Sequence, residues 1–103
     1  MIKYYTVVYS SNGIHNETVP SDVGKNAKIL KIIPITNENV QIDITIANRD
    51  VVNGFLVTTA YDGDINKSLP LEMEVNAMDP IVIKTQSSST YTLTLTFVYE
   101  VKE

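Results

Sequence analysis

The stretch that most constrains the fold lies close to the C-terminus. Residues 91–101 read Y-T-L-T-L-T-F-V-Y-E-V, with Tyr91, Leu93, Leu95, Phe97, Tyr99 and Val101 at every second position. Thr92, Thr94, Thr96 and Glu100 lie between them, and only Val98 breaks the rule. Successive side chains of a strand point to opposite faces, so this spacing predicts a half-buried β-strand with Leu95 and Phe97 in the core. A lone strand cannot offset the entropy lost in ordering it. It needs a sheet beside it and a second apolar layer opposite, and the rest of the chain must supply both.

The remaining composition suits that demand. A length of 103 residues and a hydrophobic content of 44% fit a single domain around one core. Ile, Val and Thr dominate the strand-like stretches, and β-branched side chains favour a pleated surface over a helix. The fold class expected is all-β, an antiparallel β-sandwich of jelly-roll or immunoglobulin-like type with about seven strands. Without cysteine there is no disulfide framework and no thiolate metal site. The net charge of −4, with Arg49 the single arginine, argues against direct nucleic-acid binding, which is built from clustered Lys and Arg. No stretch has the pattern of a secretory signal or a membrane span. Asn16-Glu17-Thr18 and Asn66-Lys67-Ser68 match the glycosylation pattern but read as turn residues.

Along the chain, Ile2 to Tyr9 has strand propensity but carries apolar or aromatic side chains on both faces, so either both faces are covered or one covers a neighbour. Residues 10–27 hold Asn12-Gly13, Pro20 and Gly24 without a period and read as a long loop or extended arm. Two parts are therefore expected, an N-terminal strand and extended arm over residues 1–27 and a β-sandwich domain over residues 28–103. In residues 28–36, Pro34 lacks the amide that a central strand would donate, which places it at an edge or bulge. A short polar connection then leads to Val40, Ile42, Ile44 and Ile46, alternating cleanly, and the two segments are expected to pair as a hairpin. Residues 47–53 break the pattern and residues 54–61 resume a strand. Leu69, Leu71, Met73 and Val75 form another one-sided strand, with helix as the runner-up, and Pro70 marks an edge or a strand start. Met78-Asp79-Pro80 turns the chain into a short strand over residues 81–85.

Candidate chemistry is sparse. Asp62-Gly63-Asp64-Ile65-Asn66 resembles the opening of a calcium loop, but Lys67 stands where glycine is required and Met73 where a bidentate carboxylate belongs, so it reads as a turn. Asp43, Asp50, Glu72 and Glu74 are the carboxylates available for a glycosidase-like pair, and their places on polar faces or in loops make them solvated surface groups. His15, the only histidine, falls in the aperiodic segment with no partner for a triad or metal and reads as an exposed loop residue. No catalytic residue, cofactor or metal is expected. The tyrosines offer more, because Tyr4, Tyr5 and Tyr9 crowd into the first nine residues and tyrosine suits interfaces as well as cores. Ile2, Tyr4, Tyr5, Val7 and Tyr9 are the candidate interface residues.

From residue 28 onward the order of parts resembles small tailed-phage virion proteins with jelly-roll or immunoglobulin-like β-sandwich folds. The likeness rests on the strand over residues 29–35 ending in Thr36-Asn37, the alternation over residues 40–46, Ser68-Leu69-Pro70-Leu71, Met78-Asp79-Pro80-Ile81-Val82-Ile83, Ser87-Ser88 and the terminal residues 94–100. It implies a non-enzymatic structural virion protein, made in the host cytoplasm. Such a protein is a capsid decoration or auxiliary subunit, or a tail accessory, bound as an oligomer to major capsid or tail subunits. The alternative is a carbohydrate-binding β-sandwich module of a phage tail or fibre, with Tyr61 among its exposed aromatics. Neither reading involves a cofactor, direct nucleic-acid contact or a membrane.

Overall fold

The computed structural model describes residues 1–20 and 27–101. Eight strands follow one another in these residues: β1 (Ile2–Tyr9), β2 (Gly13–Thr18), β3 (Ala27–Thr36), β4 (Val40–Ile46), β5 (Arg49–Val57), β6 (Leu69–Val75), β7 (Pro80–Gln86) and β8 (Leu93–Val101). Among them the sole helical element is a 3-10 turn at Ile65–Lys67. The strands form two four-stranded sheets, ordered β1-β8-β3-β6 and β2-β7-β4-β5, and every pairing is antiparallel. Pairs nest around the β4–β5 turn, with β4 on β5, β3 on β6, β2 on β7 and β1 on β8, and successive pairs fall on alternate sheets. A long ribbon rolled up in this way is the jelly-roll arrangement, which decides between the two sandwich types expected.

The terminal alternation does what its spacing predicts. Tyr91, Leu93, Leu95, Phe97 and Tyr99 are buried, and β8 lies between β1 and β3, where its apolar face meets the other sheet. Val40, Ile42, Ile44 and Ile46 of β4 supply the opposing layer and are fully buried. In β3 the inward parity changes midway: Ala27 and Ile29 are buried, then Ile32, Pro34 and Thr36. A register shift between Ile29 and Lys31 causes the change, since one extra residue in a strand reverses which face later side chains occupy. Pro34 sits in a strand that is flanked by β6 only as far as Ile32. The Thr36 amide, on the same side of the strand, donates to the Tyr61 carbonyl, so the missing amide of Pro34 faces away from β8 beyond the end of β6. Pro70 lies at the second residue of β6, an edge strand, as its missing donor requires.

Three expectations are corrected. Of the arm expected over residues 1–27, residues 21–26 lie outside the described residues, and residues 1–20 do not stand outside the sandwich: β1 pairs with β8 along its whole length, β2 pairs with β7, and Val7, Tyr9 and Val19 belong to the core. The strand count rises from seven to eight because β2 is too polar to announce itself, with only Ile14 among its apolar side chains. The hairpin between β3 and β4 is absent as well, since the two strands lie in different sheets. Their short connection is pinned from the side: the Asn37 carboxamide oxygen accepts the Thr92 amide at 2.7 Å, and the Asn39 carbonyl accepts the Ser87 hydroxyl at 2.7 Å. Two strands with apolar inner faces meet across a sandwich as readily as along a sheet, and alternation alone does not separate these cases.

Candidate interaction site on β1 and β2

β1 and β2 are edge strands of opposite sheets, and Glu17 joins them. One of its carboxylate oxygens, Oε1, accepts the Tyr5 hydroxyl at 3.0 Å, and the other, Oε2, accepts the Tyr9 hydroxyl at 2.9 Å. His15, two residues earlier on the same face of β2, stacks on the Tyr9 ring with centroids 3.9 Å apart and planes 14° from parallel. Its Nε2 lies 3.1 Å from the Ser11 carbonyl and 3.0 Å from Thr85 Oγ1. The Thr85 hydroxyl donates to the Ser11 carbonyl and accepts the Tyr91 hydroxyl at 2.7 Å, so it is buried with its hydrogen-bonding capacity met. A carbonyl accepts only, which makes Nε2 the protonated nitrogen of His15. The two sheets are thereby closed along this side by a polar seam.

Burial, followed by the hydrogen bonds to Glu17 and the nearby negative charge, raises the pKa of both Tyr5 and Tyr9 above the ordinary phenol value, Tyr9 the more strongly. Both phenols are therefore held as donors to the carboxylate. Through Glu17 the two hydroxyls tie β1 to β2.

The five interface candidates divide by parity. Tyr5, Val7 and Tyr9 point inward, Val7 and Tyr9 into the core and Tyr5 half-buried toward Phe97, with ring centroids 6.4 Å apart. Ile2 and Tyr4 point outward and are 45% and 64% exposed, and Val8, not among the candidates, adds an outward apolar side chain 60% exposed. Glu17, expected with Asn16 and Thr18 as a turn residue, and His15, expected in a loop, both belong to β2 and to the seam; Tyr91 is buried as the terminal alternation implies, and its bond to Thr85 was not foreseen. The spacing of His15 and Glu17, i and i+2 in a polar strand, is the signal that points to them.

Elsewhere, Asp62 and Asp64 act as turn formers, accepting the amides of Asp64 at 3.3 Å and Asn66 at 2.9 Å. Asp43 accepts the Gly54 amide and Asp50 the Thr45 hydroxyl at 3.0 Å, so both hold the β4–β5 hairpin together. Asp50, Glu72 and Glu74 meet along an open groove of ≈ 500 Å³ that Arg49 also lines, while Asp43 is not part of it. Tyr61, expected among exposed aromatics, packs edge-on against Phe55 with centroids 5.7 Å apart and is half-buried. Among the described residues no group of acidic or histidine side chains is arranged to hold a metal.

No protein-family model matches the chain, and no curated protein is significantly similar to it. Its fold is matched by solved structures. A chain from the acidic stable capsid structure of Helicobacter pylori bacteriophage KHP30 is similar with a TM-score of 0.63 at 12% identity, over 95% of this chain and 86% of that one. The nucleoplasmin-like N-terminal domain of Drosophila FKBP39 gives 0.55 at 12% identity, over 100% of this chain and 94% of that one. Both likenesses establish the β-sandwich fold. A carbohydrate-binding module, CBM36 in complex with calcium and xylotriose, reaches only 0.39 at 9% identity, over 95% of this chain and 87% of that one.

Proposed function

We propose that this chain is a structural protein of a bacteriophage virion, bound as an auxiliary or decoration subunit to the capsid surface or to another virion component. The observation that carries this reading is the likeness to the KHP30 capsid chain, which spans 95% of this chain and 86% of that one and so concerns the whole sandwich of both. Two further features support it. The outward strip of β1 offers apolar side chains for a neighbour, and a net charge of −4 with a single arginine argues against phosphate binding. In this role the protein works by contact alone, without catalysis, cofactor or membrane.

The test is the composition of particles. Virions assembled in cells that express this chain with the capsid and tail genes beside its own are banded by density, and their proteins are counted by mass spectrometry. Retention of this chain through banding in a fixed ratio to the major capsid or tail subunit is the expected result. Its absence from banded particles would overturn the proposal. Binding to a glycan array by a chain that never joins particles would replace it with the sugar-binding reading.

A further inference from the structure

Among the described residues four strands lie at sheet edges, and three of them carry features that spoil strand addition. β6 has Pro70, and Glu72 in the left-handed region at φ 51. β5 is interrupted by two register shifts and by Gly54 at φ 65. β2 is six residues long and opens on Gly13 at φ 143. β1 has none of these. Its register with β8 runs unbroken from Ile2 opposite Glu100 to Tyr9 opposite Leu93, it contains neither Pro nor Gly, and Lys3 is its single charged side chain. A long regular edge of this kind is a template for another strand unless something blunts it.

The hydrogen-bond phase tells which residues face the open side. Met1 and Val101 exchange both backbone bonds, the Val101 amide to the Met1 carbonyl at 2.9 Å and the N-terminal amine to the Val101 carbonyl at 3.4 Å. In an antiparallel ladder bonded and non-bonded pairs alternate, so Lys3, Tyr5, Val7 and Tyr9 also bond to β8, while Ile2, Tyr4, Thr6 and Val8 turn their amides and carbonyls outward. These four residues also present their side chains on the outer face, and all four are exposed. Backbone and side chains of the same residues thus offer one continuous surface.

We infer that this edge pairs with the β1 edge of a second copy of the chain, antiparallel about a two-fold axis through Tyr5, to give one continuous eight-stranded sheet. Self-complementarity selects the second copy over a foreign strand. In this register Ile2 of one copy faces Val8 of the other, Tyr4 faces Thr6, and the two Tyr5 residues face each other. The Lys3 side chains fall at opposite ends, each across from Val7, so the two ammonium groups stay apart. Each Tyr5 hydroxyl is already bonded to its own Glu17, and the two rings meet without leaving a polar group unmet. The junction comprises about eight backbone hydrogen bonds, two for each bonded pair. It does not depend on the virion reading, since it requires only the purified chain.

Sedimentation velocity of the full chain, from micromolar to near-millimolar concentration, tests the pairing. A reversible monomer–dimer equilibrium is expected. Thr6→Pro removes an outward amide that takes no part in bonding β8, and it should weaken the dimer by about tenfold to a hundredfold with an unchanged circular dichroism spectrum. If that variant does not fold, Tyr4→Lys, on an exposed side chain, should weaken the dimer to a similar degree. Leu56→Lys on the exposed face of β5 should leave it intact. In this chain without cysteine, Tyr5→Cys should cross-link to dimer under mild oxidation, because facing non-bonded positions bring the two Cα atoms within disulfide reach. A wild-type chain that stays monomeric throughout, a dimer indifferent to both edge substitutions, or a dimer in which Tyr5→Cys fails to cross-link would each overturn the inference.

Discussion

Tyr9 is buried in the core, stacks on His15 and donates to Glu17, so one side chain secures β1 to its own sheet and to the opposite one. Its raised pKa has a consequence for stability whose sign can be fixed. Below the ordinary value of 10.0 both folded and unfolded chains keep the proton. Above it the unfolded chain releases the proton while the folded chain does not, and stability falls as pH rises. Thermal unfolding followed upward from pH 10 should therefore show a steep loss that Tyr9→Phe makes shallower. Leu95, the third residue of β8, has no exposed surface. Leu95→Ala should cost about 2 to 5 kcal/mol in urea unfolding, because its neighbours cannot collapse fully into the space. A change below about 0.5 kcal/mol would mark a surface position and contradict the register.

At the scale of elements, Glu72 is the clearest misfit between residue and backbone. It is exposed and holds φ 51 within β6, beside the register shift against β3, a conformation that costs a non-glycine residue about 1 kcal/mol. Glu72→Gly should raise the stability by about that amount, read from the denaturant midpoint at constant slope. The same element shows where the sequence is mute: the alternation of Leu69, Leu71, Met73 and Val75 reveals the strand and its inner face, but nothing in those letters marks the bulge. The β4–β5 turn is hidden for a related reason. Ala47 and Asn48 occupy left-handed conformations, φ 52 and 64, in a two-residue hairpin loop where glycine would have been a signal and alanine is not. β2 is hidden in the sequence because its inward residues, His15 and Glu17, are polar and only half-buried, held by hydrogen bonds and stacking. β4 and β8 were legible because their burial is purely apolar. The seam was therefore the least readable part of the candidate site, and its visible signs were the aromatic crowding of β1 and the i, i+2 spacing of His15 and Glu17.

For the whole molecule, the nested pairing makes the N-terminal segment indispensable. Removing residues 1–19 would strip one edge from each sheet and take Val7, Tyr9 and Val19 from the core. The truncated chain should lose cooperative thermal unfolding, whereas retention of a sharp transition would restore the picture of a separable arm. The place of β8 between β1 and β3 has a consequence during synthesis. Of the described strands β1 is made first, yet its strand partner among them, β8, is made last. At about 5 to 20 residues per second the strand waits on the order of 5 to 20 seconds with its apolar residues unshielded. Throughout that interval nascent chains on neighbouring ribosomes of one message carry the same unpaired strand, which favours pairing between twin β1 strands before the sandwich closes unless a chaperone covers them.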